Sequence, residues 1–184
     1  MAASKFEFTQ YTAEHFVESA GAILVNVSTR QICVVQDKAS KEWLLPKGRR
    51  NCGESRQAAA LREAFEETGY QSQLLPLTMR TRAPPVVEVV GQHYSDEIRT
   101  HYEACEPFMI TCRQLGGEQG LKLIWWYIAA IDEGVVRQNG EDQFRVELID
   151  FDQAVGQLTF EGDREIVRKA VDLFDGVEHN VAEV

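Results

Sequence analysis

The order of strand-like and helical patterns predicts an α/β fold, and three observations carry that reading. Residues 19–25 and 31–36 are apolar runs on either side of a polar turn at 26–30, the pattern of an antiparallel pair. Residues 55–69 hold a helix whose two ends are marked by its own residues. Residues 107–115 and 122–131 give two further strand patterns around a glycine-bearing turn, and an amphipathic helix follows at about 162–174.

The elements follow in order. The chain before Phe16 is polar and without period, and the apolar step at 43–46 ends where Pro46 and Gly48 force a turn. Ser55 stands where an N-cap belongs and Gly69 where a left-handed residue commonly closes a helix. Between them Ala58, Leu61, Ala64, Phe65 and Thr68 form the expected packing face, opposite Glu63, Glu66 and Glu67. A strand is expected over 73–82, ended by Ala83-Pro84-Pro85. Residues 84–120 are expected to contain an insertion, since 86–106 has no decisive period; its two histidines, His93 and His101, lack zinc-site spacing and are not expected as metal ligands. The strand at 122–131 is expected to be central and buried on both faces. A strand at 144–149 leads to a short helix ending near 157. The whole is expected to form one domain over 1–184, with its core at about 17–175 and a loose tail at 177–184.

Composition narrows the function. A chain of 184 residues is long enough for one sizeable core, and its net charge of -10 disfavours generic binding to nucleic acid, which depends on lysine and arginine neutralising phosphates. The four cysteines show no paired spacing and are expected as free thiols. No secretion-signal pattern opens the sequence, and the longest apolar run, 123–131, is far below the roughly 18 residues of a membrane span. No membrane partner is expected, and the expected location is cytoplasmic, with the nucleus as a second compartment.

The chemistry concentrates in residues 48–70. Glu63, Glu66 and Glu67 stand at i, i+3 and i+4, so they share one helix face. Like charges so spaced weaken a helix by a few tenths of a kcal/mol per pair, which calls for solvent or a cation. A solvated, salt-bridged face is the bland alternative, with Arg56 and Arg62 as the local partners. A divalent ion with hard oxygen ligands, Mg2+ or Mn2+, answers the same need.

The stretch Gly48, Glu54, Arg62-Glu63-Ala64, Glu66-Glu67 and Gly69-Tyr70 resembles the signature of the Nudix hydrolases, Gly-x5-Glu-x7-Arg-Glu-U-x-Glu-Glu-x-Gly-U with U bulky and apolar. Ala64 is small for the first U and Tyr70 aromatic for the second. The resemblance extends to residues 20–23, the approach Trp43-Leu44-Leu45-Pro46-Lys47-Gly48, the strand ending at Ala129, and Asp152-Gln153-Ala154 with its downstream helix. It implies an α/β/α sandwich with a central mixed sheet and metal-dependent hydrolysis of a phosphoanhydride. By the same resemblance Glu66 and Glu67 are principal metal ligands, Glu63 is a ligand or the base for the attacking water, and the Gly48 carbonyl offers a further oxygen. Arg62 would orient Glu66, and Glu54 would tie down the loop by pairing with an arginine. A further acid is expected from a loop before the last strand, with Glu141 and Asp142 ahead of Glu118 and Glu133.

Lys47, Arg49 and Arg50 cluster at the mouth of the helix, where free N–H groups favour anions, and are expected to bind substrate. Arg80 and Arg82 alternate on a strand and suggest a second basic patch. Trp125, Trp126 and Tyr127 suit core packing, with stacking on a base as the alternative. Together these predict a small polyphosphorylated substrate, resembling those of members that cleave diphosphoinositol polyphosphates or diadenosine polyphosphates. Other nucleoside diphosphate derivatives, mRNA caps, isoprenoid diphosphates and a noncatalytic phosphate-ligand sensor are the alternatives.

Overall fold

The computed structural model describes residues 8–85, 93–116 and 120–181. After a 3-10 turn at Ala13–His15 come β1 (Phe16–Asn26), β2 (Gln31–Asp37), β3 (Trp43–Leu44) and β4 (Lys47–Arg49). Helix α1 (Arg56–Thr68) precedes β5 (Ser72–Leu74), β6 (Leu77–Thr81), β7 (Arg99–Ala104), β8 (Met109–Leu115) and β9 (Gly120–Ile131). Strand β10 (Phe144–Asp150) and the helices α2 (Phe151–Gln157) and α3 (Glu161–Val181) close the chain.

Long strands β1 and β9 run parallel at the centre of a mixed eight-stranded sheet of order β10-β2-β1-β9-β5. Each serves two neighbours on its outer side. Strand β1 pairs with β2 near Val25 and with β4 at Ser19–Gly21, while β9 pairs with β8 over its first half and β5 near its end. The short β4 thereby lies across the start of β1, where it carries Gly48 beneath α1.

The period of two along β1 divides the core into two layers. Ile23 and Val25 face Phe151, Leu158, Ile166, Val167 and Phe174 of the α2–α3 layer, with Ile124 and Trp126 of β9. Ala20, Ala22 and Leu24 face the α1 layer, with Tyr127, Ala129 and Ile131. The result is an α/β/α sandwich. Small residues line the α1 side, so the helix seats through Ala59, Ala60 and Ala64, all fully buried. This explains the small residue at position 64.

Several expectations need correction. Ala58 is exposed and Leu61 and Phe65 are only half-buried, whereas Glu67 is buried. The alanine-lined sheet draws the helix in along its 60–64–67 line and turns one carboxylate inward. The strand expected over 73–82 is two strands. Strand β5 belongs to the main sheet, but after Leu75 and Pro76 the chain turns away and β6 pairs with β7 in a separate two-stranded ribbon. Of the stretch 84–120 expected as an insertion, β8 is integral to the main sheet. The tail expected to be loose from 177 continues α3 through Val181. Trp126 and Tyr127 are core residues, and His101 bonds the Ala83 carbonyl at 3.1 Å within the ribbon. All four cysteines are free. Among the described residues no helix is long and apolar enough to cross a membrane.

Candidate active site at the acidic helix

Local chemistry defines both ends of α1. The Ser55 side chain accepts a bond from Ala58 N–H at 3.0 Å, and Gly69, at φ 75°, returns its N–H to the Phe65 carbonyl at 2.7 Å. Gly69 is also crowded: an added Cβ would run into the Gln138 carbonyl.

Arg62 organises the acids. It grips Glu54 through two nitrogens, at 2.8 and 2.9 Å, in a fork-to-fork pair. Its third nitrogen reaches Glu63 at 2.8 Å and Glu66 at 2.9 Å, and the Arg49 carbonyl accepts at 3.0 Å. The Arg62 guanidinium holds the Glu54 carboxyl down at about 2 against the opposing effect of burial, and the Asn51 N–H adds to it at 2.9 Å. Glu54 thus fastens the loop to the helix, while Arg62 restrains Glu63 and Glu66.

Glu67 stands apart. It is 8% exposed, and Lys47 N–H donates to its Oε2 at 3.1 Å. Burial pushes its carboxyl up to about 7, helped by the charges of Glu63 and Glu141 and opposed by Lys47. Glu63 lies against the Gly48 backbone, where an added Cβ would collide with its carboxylate. Among the described residues no three acidic, histidine or cysteine side chains already converge at ligand spacing. The donor set nevertheless suits a hard divalent ion. It consists of carboxylates and a backbone segment, and its innermost member is buried with like charges that a cation would neutralise.

The loop before β10 straps onto the end of α1. Arg137 donates to the Thr68 carbonyl at 2.7 Å, Gln138 N–H to Gly69 at 2.9 Å, and Glu141 N–H to Glu66 at 2.8 Å. Gly140 packs where a Cβ would lie 2.6 Å from the Glu67 carbonyl. These contacts bring Glu141 beside Glu67. The Asp142 carbonyl accepts from Lys38, Glu133 lies in an exposed turn, and Glu118 lies outside the described residues.

The basic residues separate. Lys47 and Arg49 keep side chains without a hydrogen bond or ion pair among the described residues. Arg50 is instead committed to Glu18, at 3.0 and 2.9 Å, and to the Glu54 carbonyl at 2.8 Å. Arg56 also pairs with Glu18, at 2.7 Å, and stacks over Trp125 at 4.1 Å, while Trp125 Nε1–H donates to the same acid. Burial disfavours charge on Glu18, but Arg56, Trp125 and Arg50 outweigh it and lower its pKa. A polar cavity of about 470 Å³ opens beside this cluster.

Arg80 and Arg82 do not join the site. Arg80 lines a separate cavity with Lys169 and Asp172 of α3, and Arg82 pairs with Asp96 at 3.3 Å. The break after β5 carries them onto the side ribbon. Sequence reasoning also missed Glu18 and the docking role of Arg137. An acid within an otherwise apolar strand start was the available signal for Glu18; Arg137 offered none.

The architecture and the acidic loop-and-helix together define an α/β/α hydrolase-type scaffold. The NUDIX domain profile matches residues 15–169. The chain belongs to the Nudix hydrolase family. It is 43% identical over 77 residues to mouse nucleoside diphosphate-linked moiety X motif 6, covering 39% of this chain and 24% of that protein. It is 25% identical over 174 residues to the 8-oxo-(d)GTP phosphatase of Mycolicibacterium smegmatis, covering 89% and 44% of the two. A C. elegans Ap4A hydrolase crystal structure superposes with a TM-score of 0.58 at 15% identity, over 87% of this chain and 98% of that one, a likeness of fold. The chain spans less than half the length of these two curated relatives.

Proposed function

We propose that the protein hydrolyses a phosphoanhydride bond in a small polyphosphorylated substrate, with Mg2+ or Mn2+ held by Glu63, Glu66, Glu67 and the Gly48 carbonyl. The observation that carries this is Glu67, a buried carboxylate set against the Gly48 segment with Glu63 and Glu141 as acidic neighbours. A buried acid so placed is costly without a cation. When bound, the metal would polarise the phosphoryl group and lower the pKa of water.

The chain's own residues divide the remaining work. Arg62 fixes the rotamers of Glu63 and Glu66, and Glu63 is the acid positioned at the Gly48 segment to hold metal or take a proton from water. Glu141 is the additional acid delivered by the strapping loop. Lys47 and Arg49, whose side chains have no ion pair among the described residues, supply positive charge for substrate phosphates.

Diadenosine polyphosphates and diphosphoinositol polyphosphates are the proposed substrates, and the relatives' names add oxidised guanine nucleotides to the panel. Incubating the purified chain with Mg2+ and each compound, while following mononucleotide or orthophosphate release, ranks them. Tight binding without turnover under any divalent metal would instead select a noncatalytic sensor.

A further inference from the structure

The acidic site occupies the α1 side of β4, but two residues of that strand face the other way. Lys47 pairs with Gly21 and Gly21 with Trp126, and a Cβ on Gly21 would meet both the Trp126 ring and the Lys47 Cβ. Trp126 belongs to the α3 layer, so Lys47 and, two residues on, Arg49 lie on that face. Lys122 shares the face with Ile124 and Trp126, and Arg113 is its register partner on β8.

Four cations from three strands thus gather where β1 and β9 begin. None of their side chains makes a hydrogen bond or ion pair among the described residues, in a chain whose net charge is -10. Partial burial lowers the pKa of Lys122, and the positive charges of Lys47, Arg113 and Arg49 lower it further, with Glu63 opposing. Asp163, in the first turn of α3, is the half-buried acid that feels Lys47 and Arg113. Ser19 gives an independent sign of a missing ligand. It pairs with Arg49 on one side and Ile124 on the other, is fully buried, and its hydroxyl has no hydrogen-bond partner among the described residues. Nature seldom leaves such a group unpaired.

We propose that Lys47, Arg49, Lys122 and Arg113, with the Ser19 hydroxyl, form a phosphate subsite on the α3 face that holds phosphoryl groups beyond the anhydride being cut. As a substrate subsite it rests on the hydrolase reading above. Lys47 links the two sides, since its backbone N–H binds Glu67 while its charge lies within reach of Lys122. Four cations without an ion pair among the described residues exceed what one phosphate needs, so the substrate class carries three or more phosphoryl groups, as a linear chain or a clustered set.

Titration calorimetry with inorganic tripolyphosphate in EDTA tests the subsite without the metal. The Lys122→Gln/Arg113→Gln double variant should bind at least tenfold more weakly than the unaltered chain. Arg113→Gln alone, at an exposed position that leaves the core intact, should bind at least threefold more weakly. Lys169→Gln, an exposed lysine elsewhere on α3, should change affinity less than twofold. Absence of tripolyphosphate binding by the unaltered chain, or unchanged affinity in the Arg113 variant, overturns the proposal. Where tripolyphosphate binds, repeating the titration with inositol hexakisphosphate shows whether a ring of phosphates is held better than a chain of them, and weaker binding of both in the variants supports the subsite. Binding without turnover would defeat the hydrolase reading and leave the anion site standing. Turnover with unaltered affinity in the variants would defeat only the subsite.

Discussion

The two sides of β4 treat positive charge in opposite ways. On the α1 side, Arg50, Arg56 and Arg62 are matched by Glu18, Glu54, Glu63 and Glu66 at 2.7–3.0 Å. On the α3 side, Lys47, Arg49, Lys122 and Arg113 have no such partners among the described residues. A basic run contiguous in sequence is thus split by the pleat into scaffold and unfilled charge. Arginine density alone is a poor guide to anion binding; what counts is whether carboxylates have already satisfied it.

The largest expected effect comes from the acid that lacks an arginine. Glu67→Gln should lower metal-dependent turnover by roughly 10³-fold, measured at saturating Mg2+. The same change should stabilise the metal-free protein. A carboxyl raised from 4.5 to about 7 binds its proton more tightly when folded, so its burial is harmless below about 4.5 and increasingly destabilising as pH rises towards 7. At pH 8 in EDTA the variant should therefore gain about 1–3 kcal/mol, read by denaturant titration. A loss of stability there would break the contrast between Glu67 and its paired neighbours.

Arg62→Gln should cost about 2 kcal/mol of stability by the same titration, since it strips the Glu54 fork and leaves three acids unopposed. Gly48→Ala should leave folding nearly intact, because the obstructing atoms are the mobile end of Glu63. It should nevertheless weaken Mn2+ binding about tenfold by displacing that carboxylate, as calorimetry would show. The smallest effect is acidic. Glu54, depressed from 4.5 to about 2, contributes its pairing fully above 4.5 and loses it as pH falls through that interval. An Arg62→Gln protein should lack this part of the acid sensitivity in a pH series of melting curves.

The caps of α1 were legible because capping is local: Ser55 and Gly69 need only neighbours within a turn. The motif acids were legible for the same reason, through fixed helical spacing. The packing face was not, because Ala59 and Ala60 replace Ala58 only once an alanine-lined sheet is present to receive them. The ion pairs of Arg50 and Arg82 were not legible, because their partners, Glu18 and Asp96, are distant in sequence. Lys122 and Arg113 flank a turn between two recognisable strands, so strand pairing and the period of two held a signal that was not followed.

By itself the sequence determined the family, the α/β class, and the boundaries and charge of the acidic helix, since each depends on spacing along a short run of chain. Tertiary structure alone decided which carboxylate is buried, which arginines are neutralised, and which cations share a face across β4, β9 and β8. Electrostatic environment depends on distance through space and on exclusion of water, and both arise only when strands remote in sequence lie side by side.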